Sequence, residues 1–404
     1  MLQSRLYLFS LAPTGKGLSG SDRIFIELAR EWSKKIQVNI FTTQEGLDMM
    51  NHQNLSGEHL NVVRIENGKL PAHFFLKYLY KILLSIKLGL SLNFPTDKLQ
   101  PIIYLYSSSD FWMDVFPAVL IKMRFNKIKW IATWYQTAPN PLKGFKEGDR
   151  TNSYKISALL YWISQLFVKP IITKFADKVI VNNIEEKKQF KKHSSNNDTI
   201  VLLGAVPLTK INKYISEHGK TNRKNEFDAV FQGRFHPQKG VVELVEIWKK
   251  VVEKIPSAKL AMIGDGPLMK DVVNKISDLG LIENIKLFGY LFDGPKKYEI
   301  FSKSKIVVHP AFYDSGGMAS AEAMAFGIPA VGFNLKAYES YYPTGMIKVK
   351  TGNLDEFAEK IITLLENDDE RIRIGNIAKN VVEANWSWEV RSKEILSLIK
   401  NDKK

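Results

Sequence analysis

Short apolar runs rich in β-branched and aromatic residues alternate, from one end of the chain to the other, with longer segments of helical periodicity. That rhythm predicts βαβ units and parallel sheets. In the first half, strands are expected at residues 6–11, 37–42, 61–65, 102–106, 128–133 and 178–181. In the second half they are expected at 228–233, 258–264, 284–289, 305–310 and 329–333. Between the halves, the polar, Gly- and Pro-containing stretch LLGAVPLTKINKYISEHGKTNRKNEF interrupts the rhythm, which then restarts. A boundary is expected beside Pro207, giving an N-terminal domain over residues 1–206 and a second over 207–380. A length of 404 residues accommodates two such domains.

Two segments depart from the rhythm by being long and mostly apolar, residues 74–94 and 154–174. In the first, Lys77, Lys81 and Lys87 interrupt a run of about the length a membrane span requires. The lysines form a thin basic stripe. Each segment is expected either to cover the N-terminal sheet or to lie on an anionic bilayer surface. The N-terminal run MLQSRLYLFSLAPTGKG is read as strand and loop, because the helix-periodic GSDRIFIELAREW follows at once.

Composition sharpens this only in part. With 45% hydrophobic and 25% charged residues, the chain is an ordinary globular sequence. It holds no cysteine, which excludes disulfides, a thiol nucleophile and Cys-ligated metal, and favours a reducing compartment. The formal charge is +15, and residues 1–205 hold 27 Lys+Arg against 16 Asp+Glu, so 27 − 16 places +11 there. Either an acidic lipid or phosphorylated substrate faces this charge, or the lysines are simply solvated. No nucleic-acid module is present, and nucleic acid is not expected as a partner.

The most informative stretch is HPAFYDSGGMASAEAMAFGIPAVGF, residues 309–333. A strand ends at His309-Pro310, a loop carries Asp314, Ser315 and the pair Gly316-Gly317, and a helix is expected to begin near Met318. Free N–H groups at a helix start and the positive end of its dipole suit a diphosphate. Glu322, one turn further, is expected on the mouth side, placed for vicinal ribose hydroxyls.

These residues resemble the E-x7-E segment of retaining GT-B glycosyltransferases of the family-4, glycogen-synthase-like type: Asp314 and Glu322 keep the acid spacing, and E-A-M-A and G-I-P-A-V follow in register. The first acid is Asp314 where the family usually has Glu. FQGRFHPQKGVVELVEIW resembles the family's G-R-x-x-x-x-K-G motif, which assigns the donor diphosphate to Arg234 and Lys239. His236 between them is read as a loop residue. AMIGDGP and KLFGYL extend the resemblance, implying donor-pocket positions at Gly264, Gly266, Gly289 and Tyr290. GKGLSGSDRIFIELAREW resembles the N-terminal glycine loop and helix, with Gly15, Gly17 and Gly20 toward the diphosphate and Asp22 and Arg23 in matching positions. Trp134-Tyr135 stands where many members carry a His; core packing, an acceptor platform and replacement of that His by Tyr135 all remain open. ANWSWEVRSKEIL resembles the closing helix, so that residues 381–404 would cross back to the first domain, with Trp386 and Trp388 structural.

The resemblance implies two facing Rossmann-like domains of GT-B type with the site in the cleft between them. It implies transfer of a hexosyl unit from a nucleotide-sugar to a glycan or lipid-linked acceptor hydroxyl, with retention. No D-x-D pair occurs in the chain, so no metal and no cofactor beyond the nucleotide-sugar donor are expected. The expected location is cytoplasmic, on the inner face of the membrane if the apolar segments bind lipid. The rival readings are a non-catalytic nucleotide-sugar-binding protein and a GT-B nucleotide-sugar epimerase; for the second, the first half offers no His between His73 and His193.

Overall fold

The computed structural model describes residues 4–13, 18–94, 102–145, 154–190, 199–218 and 225–400. The chain divides into two compact units: residues 1–138 with 160–203 and 388–404, and residues 139–159 with 204–387. The division therefore falls at 203/204 and 387/388 rather than 206/207 and 380/381, and residues 139–159 join the second unit. These assignments rest on contacts distant in sequence, which local composition does not encode.

The first unit is a seven-stranded parallel sheet. Its strands are β1 (Ser4–Ser10), β2 (Gln37–Thr42), β3 (Leu60–Arg64), β4 (Ile102–Ser107), β5 (Lys129–Trp134), β6 (Lys178–Val181) and β7 (Thr199–Val201), in the order β3-β2-β1-β4-β5-β6-β7. β7 has three residues and no periodic signal, so the sequence did not predict it. The helices are α1 (Gly20–Trp32), α2 (Gln44–His52), α3 (Phe74–Ser91), α4 (Trp112–Arg124), α5 (Lys155–Gln165), whose first five residues belong to the second unit, α6 (Val168–Phe175) and α7 (Ile184–Lys188). Ser19 starts α1 through a reciprocal capping box with Asp22. Ile82 and Leu88 of α3, Val115 and Ala118 of α4, and Ile172 of α6 share one core with the strand residues Phe9, Leu105 and Trp130.

Of the expected basic stripe on α3, Lys87 is exposed while Lys77 and Lys81 turn inward. Lys81 is buried, and its Nζ donates to the Pro13 carbonyl at 2.5 Å and pairs with Glu45 at 2.8 Å. Lys77 pairs with the same carboxylate at 2.7 Å. A buried ammonium requires such a partner, so the lysines turn inward. The expected helix over 154–174 is interrupted at Phe167, whose φ of 66° separates α5 from α6.

The second unit is a six-stranded parallel sheet of β8 (Phe227–Gln232), β9 (Leu260–Ile263), β10 (Ile285–Leu287), β11 (Ser304–His309), β12 (Ala330–Phe333) and β13 (Met346–Val349), in the order β10-β9-β8-β11-β12-β13. Its helices are α8 (Leu208–His218), α9 (Val241–Lys254), α10 (Met269–Asp278), α11 (Pro295–Ser302), α12 (Met318–Met324), α13 (Tyr338–Tyr341), α14 (Leu354–Glu366) and α15 (Asp368–Asn385). Val241, Leu244, Val245, Trp248 and Val251 recur at helical spacing and bury one face of α9 in the core. After α15 the chain returns to the first unit as α16 (Trp388–Lys400), where Trp32 Nε1 of α1 donates to the Ser392 carbonyl at 2.9 Å.

Candidate functional site

In an open parallel sheet, loops at the carboxyl ends of strands diverge where the strand order reverses, and ligands bind there. In the second unit that point lies between β8 and β11. Arg234 and Lys239 follow β8; Asp314 to Gly317 follow β11. Gly240, with φ of 61°, closes the first loop onto the second, and a Cβ there would lie 2.1 Å from the Pro310 carbonyl oxygen.

The structure brings Lys239 and Asp314 together: Nζ lies 2.6 Å from Oδ2. His309 Nε2 reaches the same oxygen at 2.8 Å and the Tyr338 hydroxyl donates to it at 3.1 Å. The Ser315 and Gly316 amides donate to Oδ1 at 2.7 and 3.3 Å. Two of the N–H groups expected to face a diphosphate thus hold the Asp314 carboxylate. Burial alone would raise this carboxyl, but the Lys239 charge and the hydrogen bonds from His309 and Lys239 outweigh it and hold the group well below the usual range. Burial lowers the His309 imidazole below its ordinary value despite Asp314, so a neutral ring donates through Nε2. Burial, then the Asp314 charge, keep the Tyr338 hydroxyl protonated.

Arg234 is exposed immediately after β8. His236 caps the short turn Pro237–Lys239, its Nδ1 accepting from the Gln238 amide, as befits a loop residue. Gly317 precedes α12 with φ of 61°, its carbonyl accepting from the Tyr342 hydroxyl at 2.5 Å. Met318 opens α12 and packs against Gly204. Gly264 and Gly289 end neighbouring strands, the Gly264 amide donating to the Gly289 carbonyl at 2.8 Å. Gly266 lies against the Phe235 backbone, and Tyr290 makes an edge contact with Phe292, centroids 5.0 Å apart.

Glu322 corrects the sequence reading. Its side chain is 2% exposed, not on an open mouth, and pairs at 2.7 Å with Lys297 Nζ, itself fully buried and also paired with Asp293. The two acids of the motif therefore have separate lysine partners. Sequence reasoning missed Lys297, Asp293, His309 as a side chain, and the tyrosines Tyr338 and Tyr342. The run AYESYY was the available signal, since aromatic hydroxyls this dense in a loop need buried partners.

In the first unit, Trp134 and Tyr135 are both buried. Trp134 Nε1 donates to Thr137 Oγ1 at 2.9 Å, and the Tyr135 and Tyr106 hydroxyls share a hydrogen bond of 2.9 Å. That placement is core packing, with neither ring offered as a platform. The switch point here, between β1 and β4, holds two carboxylates the sequence reading passed over. Asp114 accepts from the Leu11 and Ala12 amides at 2.6 and 3.0 Å and from the Ser108 and Ser109 hydroxyls. Asp110 accepts from Gln165. Burial pushes Asp110 up to about 6 and Asp114 to about 7. Gly20 is the exposed first residue of α1, and Asp22 is spent on its cap; Gly15 and Gly17 lie outside the described residues. Among the described residues, no three His, Asp or Glu side chains are grouped to hold a metal ion.

With this geometry in place, comparison with known proteins is informative. Residues 213–381 match the family model described as glycosyl transferases group 1. The chain is 27% identical over 270 residues to an uncharacterised glycosyltransferase of Methanocaldococcus jannaschii, covering 65% of this chain and 60% of that protein. It is 25% identical over 177 residues to a GDP-mannose-dependent monoacylated α-(1-6)-phosphatidylinositol monomannoside mannosyltransferase of Corynebacterium glutamicum, covering 42% and 46%. The chain thus spans less than two thirds of these relatives. A crystal structure of Anabaena HepE in complex with UDP and glucose superposes with a TM-score of 0.69 at 14% identity, covering 99% of this chain and all of that one. The fold is that of the GT-B glycosyltransferases, with two Rossmann-like domains, each built on its own parallel sheet.

Proposed function

We propose, from the match of residues 213–381 to the family model described as glycosyl transferases group 1, that the chain is a retaining hexosyltransferase that uses a nucleotide-sugar donor and a glycan or lipid-linked acceptor. The observation that carries this reading is the meeting of Lys239 and Asp314 at the β8/β11 switch point, with Arg234 exposed in the same loop after β8. A cation at a strand end stabilises the charge that develops on a departing nucleoside diphosphate. Lys239 is 20% exposed, so it can pass from Asp314 to a diphosphate oxygen while His309, Tyr338 and two backbone amides still hold the carboxylate. Asp314 then orients donor hydroxyls. As the bond from C1 to the phosphate oxygen breaks, the acceptor oxygen bonds to C1 from the same face, and its proton passes to the leaving phosphate oxygen. No metal is needed for this, and turnover in excess chelator is expected to match turnover without it.

Arg234 is exposed, so Arg234→Ala is expected to keep the fold and cut turnover by about a hundredfold. Undiminished turnover would sink the donor-site assignment. Thermal shifts with UDP-, GDP- and ADP-sugars identify the donor, since a ligand at 100 times its Kd adds about 2.7 kcal/mol of apparent stability.

A further inference from the structure

With Lys77 and Lys81 turned inward, the outward face of α3 is almost wholly apolar. Phe75, Leu76, Leu79, Leu83 and Leu90 are 60, 56, 43, 65 and 56% exposed, in a stripe at helical spacing broken by the exposed Lys87. At 1.5 Å per residue the stripe runs for about 22 Å. Leu160, Trp162 and Ile163 of α5 and the following Phe167 are also exposed. Gln165 at the end of α5 donates to Asp110, just before α4, and α4 packs along α3. Water-soluble surfaces rarely leave so many large side chains uncovered in one place.

Charge indicates what covers them. The carboxylate that adjoins α3, Glu45, is taken up by Lys77 and Lys81. Lys87 is exposed within the stripe, and Arg124, also exposed, donates to the Gly89 and Leu92 carbonyls at the end of α3. A second copy seated on this face by two-fold symmetry would set these cations against their own counterparts. An anionic lipid surface complements both the apolar stripe and its cationic surround, and Lys87 can keep its ammonium at the headgroups while its stem lies among the leucines.

We propose that the outward face of α3, extended by the end of α5, docks this chain on an anionic lipid bilayer without crossing it. The proposal deepens the glycosyl-transfer reading by placing the enzyme where a lipid-linked acceptor resides, and rests on that reading only for this consequence.

The test is flotation of the full chain with neutral phosphatidylcholine vesicles and with vesicles containing phosphatidylglycerol. Recovery with the anionic vesicles, falling as salt rises, is expected. Leu79→Glu plus Leu83→Glu should reduce recovery at least tenfold with an unchanged melting temperature, because both side chains are exposed. Lys87→Gln should weaken binding about fivefold, the equivalent of about 1 kcal/mol per cation. Equal recovery with both vesicle types, no recovery with either, or a lipid-free dimer abolished by the leucine substitutions would each overturn the proposal. Binding of UDP, GDP and ADP measured by calorimetry on the same samples is independent of lipid, so failure with all three would count against the donor site and leave the flotation result standing.

Discussion

The two sheets place a carboxylate at the same topological position and treat it in opposite ways. Asp114 follows β4 at the β1/β4 switch point, and Asp314 follows β11 at the β8/β11 switch point. Asp114 is held by two amides and two hydroxyls, without a direct ion-pair partner among the described residues, and it fixes the loop after β1. Asp314 is held by a lysine that remains partly exposed. The first arrangement is a closed internal brace. Under the proposed function, the lysine of the second turns from Asp314 to an incoming anion while four other donors keep the carboxylate in place. Equivalent topology thus supplies the position, and the partner's charge decides its use.

The strongest way to sharpen this contrast is to break the ion cluster beneath the second site. Lys297 stands between Glu322 and Asp293, and its removal takes from two buried carboxylates the cation they share. Lys297→Met should destabilise the second unit by about 3–5 kcal/mol in denaturant unfolding, and Lys297→Met with Glu322→Leu should recover part of that. A loss below 1 kcal/mol would show that the cluster is not a structural support.

Acidity should act on the two units with opposite sign. Asp110 and Asp114 have folded pKa values raised above 3.8 by burial, so the first unit loses stability as pH rises from about 4 to about 7. At about 1.4 kcal/mol per pKa unit, Asp110 alone accounts for roughly 3 kcal/mol. In the second unit His309 is lowered below 6.5, so its contribution is present above 6.5 and is lost as pH falls below that. Asp314 adds a further loss below 3.8, where its unfolded form begins to bind protons. Hydrogen exchange resolved by unit, at pH 4.5 and 7, measures both slopes; slopes of the same sign would refute the contrast.

Asp314→Asn is expected to cost about 1–3 kcal/mol in the second unit, because Lys239 loses its charge partner and an amide cannot accept from every donor the carboxylate serves. Asp314→Glu should be less well tolerated than charge conservation alone suggests, since five donors within 3.3 Å leave no slack for a methylene. Donor titration by calorimetry separates loss of binding from loss of fold.

Much of this was legible because it is local. The strand runs, the capping signature Ser19 to Asp22 and the motif segments around Arg234, Lys239 and Asp314 are each contained within a few residues. What escaped is what folding brings together. Glu322 and Lys297 are 25 residues apart and meet only when α11 and α12 pack. The inward turn of Lys77 and Lys81 depends on Glu45, more than 30 residues earlier. Their spacing of four did mark a single helical face, with Ser85 and Leu88 continuing it, opposite Leu79 and Leu83. Reading that face as internal would have required knowing where the partner carboxylate lay.

The smallest expected effect tests whether each unit can be perturbed alone. Ser19 caps α1 in the first unit, its hydroxyl accepting from the Asp22 amide, and the Asn353 side chain caps α14 in the second by accepting from the Glu356 amide at 3.1 Å. Each cap satisfies one helix donor that would otherwise have only water. Ser19→Ala and Asn353→Ala should each cost about 1 kcal/mol. Neither residue touches the switch-point carboxylates, so Ser19→Ala should accelerate amide exchange in β1, β2 and β4 and leave β8, β9 and β11 unchanged, with the reverse for Asn353→Ala. If either substitution changed exchange equally in both sheets, the units would unfold as one, and the opposite pH slopes would have to be measured on each unit expressed separately.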